Sequence, residues 1–100
     1  VFPGSPLGSQ SQRIAHLLST EVIGRATLHI DMHGGDGTES LASFAGAYSG
    51  KLAAAQAAQS REMALAFNLP LLVHYAVDTE EQLNTGRSCN RQAVAMGKPT

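Results

Sequence analysis

The chain has 100 residues, 43% of them hydrophobic and 15% charged, a balance typical of one small globular domain and not of a disordered segment. Its formal net charge of -1 and the absence of a Lys/Arg cluster argue against nucleic acid or an anionic membrane surface as a partner. Apolar stretches such as residues 69–73 are far shorter than the roughly 20 residues of a transmembrane helix, so the sequence predicts no membrane-spanning segment.

The first half of the chain predicts a helix, a strand and a long loop. Apolar residues recur at helical spacing over residues 9–23, and Gly24 is well placed to cap that helix. Residues 26–30 are a short, partly β-branched apolar run, which predicts a buried strand. Residues 32–50 are glycine-rich with few large apolar side chains, so we predict a loop that contains a short strand over 45–49.

The second half predicts two helices around another strand. Residues 51–68 are alanine-rich with one apolar face and predict a helix, and residues 71–77 predict a second buried strand. A polar loop over 78–88 and a helix over 88–96 follow. This alternation predicts an α/β fold in which helices cross over between strands of one sheet.

The two ends of the chain suggest that it belongs to a longer domain. It opens without Met and closes on Gly97-Lys98-Pro99-Thr100, which is typical of a helix-to-strand connection. We therefore expect residues 1–100 to be the central part of a single domain that is truncated at both ends. Buried strands would lack neighbours in the isolated segment, so we expect that segment to be unstable or to form a homo-oligomer.

Asp31-Met32-His33 is the pattern with the clearest chemical meaning, because it follows the predicted strand over 26–30 and leads into a glycine-rich loop. Ligands of open α/β sheets bind beyond such strand ends. A neutral imidazole can bind a divalent metal, and a neighbouring carboxylate can orient the ring. A histidine bonded only to backbone is the alternative, and the spacing alone favours it, since catalytic zinc usually has three protein ligands.

Several segments together resemble the succinylglutamate desuccinylase/aspartoacylase family, over nearly the whole chain. They occur in the family's order: Val1-Phe2-Pro3-Gly4, Gly8-Ser9, Gln12-Arg13-Ile14-Ala15-His16, Ile30-Asp31-Met32-His33-Gly34-Gly35-Asp36, and residues 93–100 with Gly97-Lys98-Pro99-Thr100. The resemblance implies a zinc carboxypeptidase-like fold, with three layers in which helices cover both faces of a mixed sheet. It also implies a zinc-dependent amide hydrolase.

The resemblance assigns roles to specific residues. His33 matches the third zinc ligand and Asp31 a carboxylate beside it, because Asp31-Met32-His33 corresponds to the family's Asp-Leu-His motif. The family's other two ligands, a His-x-x-Glu pair, precede the segment that matches Val1, and its general-base Glu follows the segment that matches Thr100. Residues 1–100 alone are therefore expected to be catalytically inactive.

The resemblance also implies a substrate class, an N-acyl amino acid or a related small carboxylate. Arg87 and Arg91 are candidates to bind its carboxylate, because a guanidinium binds carboxylates through two parallel hydrogen bonds; solvated helix-surface arginines are the alternative. A carboxypeptidase-like peptidase and a non-catalytic binding module on the same fold are the other functions considered. We expect a cytoplasmic location, with which the single cysteine is compatible.

Three further polar features receive weaker predictions. Cys89 has no evident basic partner in the sequence, so a nucleophilic role is not expected. His29 is expected to be a hydrogen-bonded core histidine. The acidic series His33-x-x-Asp36-x-x-Glu39 has the composition of a second metal site, but the surrounding glycines favour a role in ordering the loop.

Overall fold

Helices alternate with two strands in the computed structural model, which describes residues 1–35 and 37–100. The elements in chain order are α1 (Gln10–Leu17) with a π-helical continuation (Leu18–Ile23), β1 (Phe44–Ser49), a 3-10 turn (Lys51–Ala53), α2 (Ala57–Ala66), β2 (Leu71–Ala76), α3 (Glu80–Asn84) and α4 (Cys89–Ala95). Within this described part of the chain, no helix is long and apolar enough to cross a membrane.

Helix α1 begins where the sequence predicted. Ser9 and Gln12 form a capping box, in which the Ser9 hydroxyl accepts from the Gln12 backbone N–H and the Gln12 side chain accepts from the Ser9 N–H. This arrangement satisfies two backbone donors that a helix start otherwise leaves unpaired. The helical backbone then continues through the π-helical residues to Ile23, which confirms the predicted helix over 9–23.

The sheet consists of β1 and β2, paired in parallel from Phe44 opposite Leu71 to Ser49 opposite Ala76. Parallel neighbours need a crossover connection, and α2 lies in it and packs on β1. Both strands fall where the sequence predicted them, so the α/β class is confirmed. The finer prediction, a three-layer zinc carboxypeptidase-like arrangement around a mixed sheet, stays a prediction.

The predicted strand over residues 26–30 is wrong. These residues have no regular strand structure, although the His29 N–H donates to the Pro99 carbonyl at 2.9 Å. A β-strand is defined by a continuous ladder of backbone bonds to a neighbour, and this single bond does not form one. The apolar, partly β-branched composition therefore did not produce a strand here, and residues 27 and 28 form a bend.

The helix predicted over 51–68 is shorter in the structure. Its first turn is tied to the end of β2 instead, since the Lys51 N–H donates to the Asp78 carboxylate at 2.8 Å and the Leu52 N–H donates to the Val77 carbonyl at 2.9 Å. The segment forms a 3-10 turn over Lys51–Ala53 and a further turn over residues 54–56, and the α-helix begins only at Ala57. After α2, Asn68 adopts a φ of 51°, the left-handed conformation that commonly ends a helix.

The predicted loop over 78–88 contains a short helix, α3. Thr79 and Gln82 form a second capping box at its start, and Glu80 and Glu81 lie in its first turn, where carboxylates stabilise the helix dipole. The helix predicted over 88–96 is confirmed as α4, whose first turn is capped by the Ser88 hydroxyl.

The core lies between the crossover region and the two C-terminal helices. Its buried side chains are apolar, and Tyr48 of β1 packs against them: Ala53, Val77, Leu83 and Val94. Each of the four is at most 6% exposed. Because Tyr48 belongs to β1, the cluster joins α3 and α4 to the carboxyl end of that strand.

Candidate functional site

A groove of about 800 Å³ lies in the part of the chain that the structure describes. Residues 29–34 form one wall and β1 with the residues before it forms the other, while α2 contributes the floor. The polar side chains that line it include His29, Asp31, His33, Tyr48 and Asn90. The predicted metal ligand and its carboxylate partner therefore lie in the same groove.

Asp31 and His33 contact each other directly. The Asp31 Oδ2 and His33 Nε2 atoms are 2.9 Å apart. Because an ionised carboxylate only accepts hydrogen bonds, we assign the imidazole hydrogen to Nε2, which donates a hydrogen bond to Asp31. The His33 side chain is 72% exposed and that of Asp31 is 32% exposed, which places the imidazole at the solvent side of the groove. The i and i+2 spacing brings both side chains to one side of the extended backbone.

This pair has the chemistry of one metal ligand with its supporting carboxylate. In such a pair the carboxylate accepts from one ring nitrogen, and the metal binds the other. In residues 1–35 and 37–100, no group of three or more His, Cys, Asp or Glu side chains is placed to hold a metal ion. Among the described residues, His33 thus corresponds to one of the three expected zinc ligands. The interpretation of Asp36 as part of a second acidic site falls on a residue outside the described ones.

The two arginines proposed for substrate binding lie beside the groove and not in its lining. Arg87 donates to the side chains of Gln92, at 3.2 Å, and of Asn84. Arg91 donates to the Thr85 carbonyl and is close enough to Tyr48 to lower the pKa of its phenol, although burial has the larger effect and raises it.

His29 and Cys89 form a contact that the sequence interpretation missed. The His29 Nε2 and Cys89 Sγ atoms are 3.4 Å apart, so the expectation that Cys89 lacks a basic neighbour is wrong. Sixty positions separate the two residues, and no local pattern points from one to the other. His29 is hydrogen-bonded through Nε2 as predicted, but it is only half-buried and lies outside the core cluster, so the prediction of a core histidine is wrong.

The electrostatics of this pair favour its neutral form. Burial lowers the pKa of His29, and the Asp31 carboxylate opposes that shift. Burial raises the pKa of the Cys89 thiol, and Asp31 raises it further. A nucleophilic cysteine needs the opposite shifts, toward thiolate and imidazolium. The geometry therefore places a histidine beside Cys89 without activating the thiol.

Alkylation kinetics test whether the Cys89 thiol is neutral in the folded protein. We expect Cys89 in the folded protein to react with iodoacetamide more slowly than a free cysteine at pH 8, because the raised thiol pKa leaves less thiolate. The rate should rise as pH increases through the raised pKa. The pH–rate profile of the unfolded protein is the control, and a folded-state profile shifted to lower pH would contradict the neutral assignment.

Tyr48 and Asn90 were also missed as groove residues. The Tyr48 ring stacks on Tyr75 of β2, with centroids 5.2 Å apart, and the two residues are direct partners in the parallel register. The amide oxygen of Asn90 is buried without a hydrogen-bond partner in the structure. A tyrosine on a strand and an asparagine in a helix have no distinguishing sequence pattern, so only the fold identifies them.

Comparisons of the chain with protein-family models, with curated proteins and with solved structures found no match. The family resemblance therefore rests on the motifs themselves. The contact between the Asp31 and His33 side chains at 2.9 Å in this groove is an observation separate from that resemblance.

Proposed function

We propose that the chain is the central part of a zinc-dependent deacylase that hydrolyses the amide bond of an N-acyl amino acid or a similar small carboxylate. The observation that carries the proposal is the Asp31–His33 hydrogen bond, because a carboxylate that accepts from one imidazole nitrogen is the usual support of a histidine zinc ligand. The proposal includes a zinc carboxypeptidase-like, three-layer arrangement in the intact protein.

The residues in this chain would supply binding and orientation. His33 is the proposed metal ligand, and Asp31 holds its ring and fixes the tautomer. A bound zinc ion lowers the pKa of a coordinated water and polarises an acyl carbonyl. The remaining ligands, a His-x-x-Glu pair, and a general-base Glu are proposed for parts of the intact protein outside residues 1–100.

Substrate binding is proposed for Arg87 and Arg91, which flank the groove on the α3–α4 side. Arg91 is the better placed of the two, since its charge acts on Tyr48, a groove residue. On substrate binding, the Arg91 guanidinium would exchange its present hydrogen bond to the Thr85 carbonyl for hydrogen bonds to the substrate carboxylate, in which both partners are charged.

The proposed function is tested with the intact protein, purified with its zinc content measured. We expect hydrolysis of N-succinyl or N-acetyl amino acids, loss of activity on chelation, and recovery on addition of zinc. Faster hydrolysis of peptides would instead support the carboxypeptidase-like alternative. Absence of both activities from a zinc-loaded protein would favour a non-catalytic binding module and contradict the proposal.

Asp31→Asn tests the supporting role of the carboxylate. We expect zinc affinity in the intact protein to fall about 10–100-fold, the usual effect of removing a ligand's hydrogen-bonding partner, because the amide is a weaker acceptor and permits the other tautomer. Competition with a chromophoric chelator measures the affinity. Glu62→Gln on the exposed surface of α2 is the matched acid-to-amide control and should bind zinc normally; equal affinities in the two variants would remove Asp31 from the site.

A further inference from the structure

The first turn of α4 contacts both walls of the groove. The Ser88 hydroxyl, which caps this turn, is a hydrogen-bond partner of the Tyr48 phenol from β1. The next residue, Cys89, lies with its Sγ atom 3.4 Å from the Nε2 atom of His29, on the other wall. The Tyr48 phenol and the segment that leads into Asp31 therefore meet at one end of the groove.

Arg91 belongs to the same turn of α4. Its backbone N–H donates to the Ser88 hydroxyl at 3.3 Å, and its guanidinium acts on the Tyr48 phenol more strongly than the Asp31 carboxylate does. Because charge interactions weaken with distance, a phenol on which both groups act lies within range of both. Tyr48 thus lies near Asp31, on the proposed metal side of the groove, and near Arg91, on the proposed carboxylate side.

The Tyr48 ring is held in place by its neighbours. It stacks on the Tyr75 ring with centroids 5.2 Å apart, and it packs against the core cluster described above. Tyr75 in turn lies against Gly46, where a Cβ atom would be 2.6 Å from the Tyr75 ring. A ring held in this way loses little conformational entropy when its hydroxyl binds a ligand.

The Tyr48 hydroxyl is a hydrogen-bond donor at physiological pH. Burial raises the pKa of the phenol, and this effect is larger than the opposing effect of the Arg91 guanidinium. The phenol therefore keeps its proton and can donate a hydrogen bond to a carboxylate. Hydrogen bonds to an ionised acceptor are stronger than those between two neutral groups.

We infer that Tyr48 is a substrate-binding residue, and that its hydroxyl donates a hydrogen bond to the substrate carboxylate at Arg91. The inference rests on the proposed function, since it concerns the substrate of that site. It adds a rigid, neutral donor to a flexible, charged one. The arginine supplies the charge that attracts the carboxylate, and the fixed phenol supplies direction. Tyr48 therefore determines where the carboxylate of a bound substrate lies in the groove.

Steady-state kinetics of the intact protein carrying Tyr48→Phe test the inference, with the N-acyl amino acid that the unmodified protein hydrolyses. Phenylalanine keeps the ring and removes only the hydroxyl. We expect kcat/KM to fall roughly 10- to 100-fold, the usual effect of losing a hydrogen bond to a charged group. The change should lie mostly in KM, because the carboxylate is not a reacting group and is bound equally before and during the reaction. Tyr75→Phe removes a hydroxyl from the stacked neighbour and is the matched control, with unchanged constants expected.

A second substrate separates binding of the carboxylate from support of the fold. When the carboxylate of the substrate is replaced by hydrogen, Tyr48→Phe should leave kcat/KM for this analogue unchanged. Equal losses for the substrate and the analogue, or a loss confined to kcat, would assign Tyr48 a structural role and overturn the inference. Unchanged constants in Tyr48→Phe, with an active unmodified protein, would overturn it while leaving the proposed function intact. An unmodified, zinc-loaded protein that hydrolyses neither substrate would contradict the proposed function, and the inference with it.

Discussion

His33→Ala is expected to remove most of the zinc from the intact protein. Catalytic zinc is usually held by three protein ligands, and loss of one leaves a set that competes poorly with water and buffer. The affinity should fall by more than the about 10–100-fold that follows loss of a supporting carboxylate. Atomic emission after dialysis measures the zinc that remains per chain.

The control for this variant is His74→Ala. His74 lies on β2 with an exposed side chain, so its loss removes an imidazole from the surface without changing the groove. Near-stoichiometric zinc in the His33 variant, with normal folding, would refute the ligand assignment. Equal zinc loss in both variants would indicate a general effect of histidine removal and not a site at His33.

Leu83→Ala is expected to destabilise the protein by about 2–5 kcal/mol, the usual cost of truncating a buried leucine. Leu83 is 6% exposed and belongs to the core cluster that holds α3 and α4 against the sheet. Small domains have a free energy of unfolding of about 5–15 kcal/mol, so this one change would remove a large share. Urea unfolding followed by circular dichroism measures it.

Leu65→Ala provides the comparison for Leu83. Leu65 lies on α2 and is 48% exposed, and alanine also has a higher helix propensity. The expected change in its free energy of unfolding is below about 1 kcal/mol. Equal destabilisation by the two variants would show that the cluster around Leu83 is not the main core.

Local signals in the sequence predicted much of the fold. The helix from Ser9, both strands of the sheet and the helix capped by Ser88 all carry their information within a few residues, as caps or apolar periodicity. Helix α3 carries the same kind of signal in Thr79 and Gln82, and a search for capping boxes would have found it.

The predictions that were wrong concern a different kind of information, namely contacts between residues that are distant in the chain. The two segments that differ from the prediction both bond to residues far along the chain: the Lys51 and Leu52 N–H groups donate to Asp78 and Val77, and the His29 N–H donates to the Pro99 carbonyl. The contact between His29 and Cys89 likewise joins residues sixty positions apart. In contrast, the contact between Asp31 and His33 joins residues two positions apart; the resemblance paired them, whereas their spacing alone favoured a histidine bonded only to backbone.

The buried Ser60 hydroxyl has a consequence for register. It donates to the Gln56 carbonyl and accepts from the Thr100 N–H, at 3.0 Å each, so it fixes the height at which the chain enters the groove. Side chains alternate between the two faces of a strand, and a slip of one residue would exchange all of them. Ser60 on α2 therefore holds Thr100 in one register beside Tyr48, whose N–H donates to the Thr100 carbonyl at 3.0 Å.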